Sequence, residues 1–124
     1  MRDDLRFARH LTLRERLLLR HSLRRADCLL HPSETVQFSA RGWWRGDHCL
    51  VLVTASRVLL IRCSTKYPHR DHMAFDFDGL THLSAHEAPP AGARLRIAAG
   101  SSWEEFSVLR HGCQMRQFLM TAQP

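Results

Sequence analysis

The chain has 124 residues, 44% of them apolar and 24% charged, with six glycines and five prolines. That is the size of one ordinary domain, long enough to remove about two-thirds of its unfolded surface from water without metal or disulfides, and the composition excludes collagen, coiled coil and wholesale disorder. Basic residues outnumber acidic ones 18 to 12, a formal charge of +6, which favours anionic partners: nucleic acid, lipid headgroups or acidic proteins.

All the basic residues except Lys66 are arginine, whose planar fork binds phosphate bidentately, although genome composition also enriches arginine. No apolar run approaches the roughly 20 residues a membrane span needs. The start Met-Arg-Asp-Asp lacks the uncharged core of a signal peptide, so the expected location is the cytoplasm. Cys28, Cys49, Cys63 and Cys113 include no C-x-x-C and are expected as reduced thiols, mostly buried as small hydrophobes.

Residues 3–26 read as one amphipathic helix, capped by Asp3 or Asp4 and free of Gly and Pro. At roughly 100° per residue, Leu5, Phe7, Ala8, Leu11, Leu18, Leu19 and Leu23 share a broad apolar face. Arg2, Arg6, Arg9, Arg16, Arg20 and Arg24 fall in a narrow opposite sector, into which Leu13 and Leu17 intrude. His31-Pro32-Ser33-Glu34 breaks the pattern. Residues 35–40 alternate like a half-buried strand, and residues 42–47 are expected as a turn carrying Trp43 and Trp44.

Residues 48–54 and 57–63 are β-rich runs joined by a tight hairpin at Ala55-Ser56. Both are apolar on both faces, so each side needs a cover: a barrel core on one side and the N-terminal helix on the other, or a second copy of the chain. Residues 64–71 read as a polar loop, 73–77 and 80–86 as strands, 88–92 as a loop, 93–98 and 102–108 as strands, and 111–122 as a helix. Helix, about seven short strands, then helix spells an α+β fold built on a small antiparallel barrel or sandwich.

Residues 33–122 resemble a bacterial pleckstrin-homology-like domain, of the group related to GRAM and PH domains. The resemblance rests on S-E-T-V-Q-F-S-A-R-G at Ser33–Gly42 and L-V-L-V-T-A-S-R-V-L-L-I at Leu50–Ile61, a hairpin of the form apolar run, Thr, turn, Arg, apolar run. F-D-F-D-G-L-T-H-L at Phe75–Leu83, then R-L-R-I and W-E-E-F-S-V-L before a final helix, complete it. It implies a PH-like barrel of about seven strands with a C-terminal capping helix (33–124), to which residues 1–30 add an amphipathic helix within one folding unit. It also implies a non-enzymatic scaffold that binds lipid, protein or peptide, and it supplies no ligand residues.

The candidate partner-binding residues are therefore Arg2, Arg6, Arg9, Arg16, Arg20 and Arg24, with Arg41 and Arg45 flanking Trp43 and Trp44. Such a surface suits an anionic membrane or a protein partner; the alternative is a nucleic acid held by the same arginines. Adjacent strand residues point oppositely, so one of Trp43 and Trp44 is expected inside and one outside, and Trp103 is expected in the core. His69-Arg70-Asp71-His72, with Asp76 and Asp78, has the look of half a metal site, and Cys28, His31 and Cys113 lack diagnostic zinc spacing. No metal, cofactor or catalytic constellation is expected: G-x-S-x-G and H-E-x-x-H are absent, and Cys49 and His48 are only strand neighbours.

Overall fold

The computed structural model of the chain describes residues 11–63 and 72–122. Helices α1 (Leu13–Leu18) and α2 (Arg20–Leu29) precede strands β1 (Val36–Trp44), β2 (Asp47–Thr54), β3 (Arg57–Arg62) and β4 (His72–Asp76). A 3-10 turn at Phe77–Gly79 leads into β5 (Leu80–Ala88), β6 (Gly92–Ala99), β7 (Ser102–Val108) and helix α3 (Gly112–Ala122). The seven strands form one antiparallel sheet in the order β4-β3-β2-β1-β7-β6-β5.

The doubly apolar hairpin organises this architecture. Val51, Val53, Val58 and Leu60 point to one side, where they pack with Phe38, Phe75, Leu95, Ile97 and Phe106. Met115 and Leu119 of α3 close that core. Leu50, Leu52, Leu59 and Ile61 point to the other side and pack against Leu11, Leu19, Leu23, Ala26 and Leu30. Every residue from Cys49 to Val53 and from Val58 to Ile61 is fully buried, as period-2 alternation requires of a strand with a core on each flank. The chain's own helices thus cover this surface, as expected, and not the second copy that was the alternative, so the hairpin gives no argument for a dimer.

Ser22 couples the two layers: its hydroxyl lies 3.1 Å from the carbonyl oxygens of both Ile61 and Arg62 and donates to them. Ser22→Ala is expected to destabilise the fold by about 1 kcal/mol, read as a lower urea midpoint with an unchanged slope.

Three boundaries differ from expectation. Residues 3–10 of the expected helix lie outside the described residues, and Leu11 and Thr12 are not helical. Thr12 instead caps α1: its hydroxyl accepts from Glu15 N–H at 3.1 Å, and Glu15 accepts from Thr12 N–H at 3.0 Å, a reciprocal capping box. The helix also breaks at Leu19, between α1 and α2. Trp43 and Trp44 belong to β1 and not to the turn, which is Arg45-Gly46, both at positive φ, the geometry that tight hairpins favour. The polar loop expected at 64–71 lies outside the described residues.

Candidate functional site

The outward side of α1 breaks the rule that a small domain hides its leucines. Leu13 is 74% and Leu17 is 62% exposed, while Leu11 and Leu19 are buried. Residues four apart share a helix face, so Leu13 and Leu17 form one apolar ridge. Arg14, Arg20 and Arg24 are also exposed and make no ion pair with any described residue.

Polar ties at each end of α1 hold this ridge against the sheet. Glu15, on the opposite side of α1, is buried and accepts from Arg110 Nη2 at 2.7 Å, while Arg41 Nε of β1 lies 3.4 Å from its other oxygen. Burial alone would raise the Glu15 pKa. The Thr12 N–H bond and the charges of Arg110 and Arg41 outweigh it and hold the carboxyl below its ordinary value. At the other end of α1, the Cys63 thiol donates to Leu18 O at 2.9 Å.

The tryptophans divide as alternation requires. Trp44 is buried and its Nε1–H donates to Glu104 Oε2 at 2.8 Å; it is therefore core and not an interface side chain. Trp43 is 44% exposed on the outer side, with the His48 ring edge-on at 5.0 Å. His48 O accepts from Cys63 N–H, which connects this spot to the end of α1. Trp103, expected in the core, is 57% exposed. Phe106 and Val108 fix the inward parity of β7, so Glu104 turns inward to meet Trp44 and Trp103 turns out.

The arginines expected to bind anions separate into three groups. Arg20 and Arg24 stand exposed on α2, whereas Arg16 of α1 is half-buried. Arg41 lies against Glu15, and Arg45 lies over the Trp44 ring and pairs with Glu104, so both face carboxylates of the fold. Arg2, Arg6 and Arg9 lie outside the described residues. Arg14 was missed because at roughly 100° per residue it falls about 80° outside the arginine sector.

Reactive chemistry finds no focus among the described residues. They contain no cluster of three His, Cys, Asp or Glu side chains suited to a metal, and His69 and Asp71 lie outside them. Asp76 ends β4 and Asp78 lies in the 3-10 turn, both exposed. Burial pushes the Cys49 thiol up to about 12, which leaves it protonated and inert. No helix among the described residues is long and apolar enough to cross a membrane.

No protein-family model matches the sequence, and no curated protein matches it significantly. Solved structures do. The Vps36 N-terminal PH domain superimposes with a TM-score of 0.56 at 16% identity, over 75% of this chain and 81% of that one. The C-terminal domain of an unknown protein from Leishmania infantum gives 0.56 at 13% identity, over 84% and 93%. A pleckstrin-homology-domain protein from Shewanella loihica gives 0.49 at 12% identity, over 84% and 89%. The fold is PH-like: an antiparallel sheet closed by a C-terminal helix, here with N-terminal helices on its outer side.

Proposed function

We propose that this PH-like domain is a non-catalytic binding module that docks on an anionic membrane surface through the outward side of α1 and α2. PH-like domains generally bind lipids or proteins. The observation that carries the lipid reading is the exposed pair Leu13 and Leu17 on α1, with the exposed Arg14 on the same helix and the exposed Arg20 and Arg24 on α2, which follows it. A nucleic acid or an acidic protein would use the arginines and leave the leucines without purpose. A bilayer uses both: guanidinium groups meet lipid phosphates at about 1 kcal/mol each, and leucines enter the headgroup boundary. Trp43, half-exposed at the near end of β1, suits the same interfacial depth. The apolar side of α2 is spent on the barrel, so the docking is shallow and reversible.

Cosedimentation tests this with phosphatidylcholine vesicles, with and without phosphatidylserine. Wild-type chain is expected to bind only the anionic vesicles, less tightly as salt rises. The pair Arg20→Glu with Arg24→Glu and the pair Leu13→Ser with Leu17→Ser should each lose about tenfold or more. The leucine pair separates the classes: mixed-sequence DNA bound by wild type and by the serine pair alike would replace the membrane with nucleic acid. Absence of vesicle and DNA binding at low salt would leave a protein partner.

A further inference from the structure

The sheet has a second outward surface, on β5, β6 and β7, that no helix among the described residues covers. Its rows follow from the strand register: His82, Ala98 and Trp103 lie side by side, then Ser84, Arg96 and Glu105, then His86, Arg94 and Ser107. In the first row the His82 and Trp103 rings sit 5.1 Å apart, and Ala98 between them is fully buried although it faces outward. Trp103 still keeps 57% of its surface in water. A tryptophan on a solvated sheet face is costly to display, and such rigid aromatic area is what protein interfaces use as an anchor.

Among the described residues, the outward rows carry two arginines, Arg94 and Arg96, against one outward carboxylate, Glu105, which lies 3.4 Å from Arg96. Arg94 is exposed and makes no ion pair with any described residue. Two shallow depressions accompany these groups. One, of about 420 Å³, is lined by Arg96, Trp103, Glu104 and Glu105, and a smaller one of about 160 Å³ is lined by Ser84, His86, Arg94, Leu95, Arg96 and Glu105.

We infer that this surface docks an acidic, extended segment of a partner protein, with an apolar side chain on Trp103 and carboxylates on Arg96 and Arg94. Ala98, Arg96 and Arg94 are successive outward positions of β6, about 7 Å apart. That spacing matches side chains i, i+2 and i+4 of an extended peptide, so the fitting sequence carries an apolar residue followed or preceded by acidic residues two and four places away. The proposal does not depend on α1 or on the membrane reading.

The test uses the whole ¹⁵N-labelled chain, whose three tryptophans give three indole N–H signals, Trp103 being assigned by Trp103→Phe. The probe is the peptide Gly-Phe-Ser-Glu-Ser-Glu-Gly, with its Lys-for-Glu counterpart as control. The acidic peptide is expected to shift the Trp103 indole and the amides of β5–β7, while the lysine peptide leaves them unmoved. Arg94→Glu with Arg96→Glu should weaken binding about tenfold or more, with the buried Trp44 signal unchanged as proof of folding, and Arg20→Glu with Arg24→Glu should have no effect. No shift at millimolar peptide, equal shifts by both peptides, or loss of binding in the Arg20 and Arg24 variant would each overturn the proposal. Selective broadening of Trp103 by phosphatidylserine vesicles would also overturn it, in favour of lipid.

Discussion

Glu34→Ala is expected to lower stability by about 3–5 kcal/mol, out of the roughly 5–15 kcal/mol typical of a whole domain. Glu34 is buried between α2 and the hairpin. It accepts from Arg57 Nε at 2.9 Å and Nη2 at 2.7 Å, from the Thr54 hydroxyl at 3.1 Å and from His31 N–H at 2.9 Å. Arg57, only 13% exposed, also donates to Leu29 O at 2.8 Å. Removal of the carboxylate strands a guanidinium away from water, which costs far more than the pair's net contribution. A fall in Tm of about 10–20 °C should follow.

The same group sets a pH dependence. The Arg57 hydrogen bonds hold the Glu34 carboxyl at about 2 against an ordinary 4.5, despite burial. A lowered folded-state pKa means the stabilisation is complete above about 4.5 and is lost as pH falls from there towards 2. Urea midpoints of wild type should drop through that window, and those of Glu34→Gln should drop much less. Glu15, lowered in the same direction, keeps a residual slope. A full wild-type slope in Glu34→Gln would refute this assignment.

Gly112→Ala is expected to cost about 3 kcal/mol or more, at the upper end of overpacking effects. A Cβ there would lie 2.2 Å from both C and O of Gly92 and 2.7 Å from Ala93 N. These are backbone atoms of β6, which cannot rotate away, so α3 itself must shift. That helix brings Met115 and Leu119 into the core, and Gly112 N–H donates to Ala91 O at 2.9 Å. Gly79→Ala is the control, since a Cβ there meets nothing within 4 Å; its Tm should stay within the change produced by about 0.5 kcal/mol. Equal Tm values for the two variants would show that the glycine contact does not seat α3.

The hairpin was legible because its signal is local: apolar residues at both parities of Leu50–Val53 and Val58–Ile61 demand two covers, and both exist. Trp103 was misread because its size outweighed parity. Phe106 and Val108 set the inward side of β7, and the inward Glu104 is tolerable only because Trp44, 60 residues away, gives it a donor. The bond between Glu34 and Arg57 was hidden for the same reason. Ser33-Glu34-Thr35 and the Thr54–Arg57 hairpin were both noted as motifs, yet nothing in either segment says that they touch. Leu13 and Leu17 were visible as intruders on the arginine side; whether water reaches them depends on how α1 sits, which Thr12 and Glu15 decide through a T-x-x-E signal inside the expected helix.

The grip of Glu15 on Arg41 and Arg110 has a kinetic corollary. Under the proposed membrane docking, the leucine ridge would be preassembled, so adhesion would need no coil-to-helix transition and would order side chains but not backbone. Encounters would then be limited by diffusion and electrostatic guidance, and the lifetime of each attachment would be left to the side chains of a single helical turn and its neighbours.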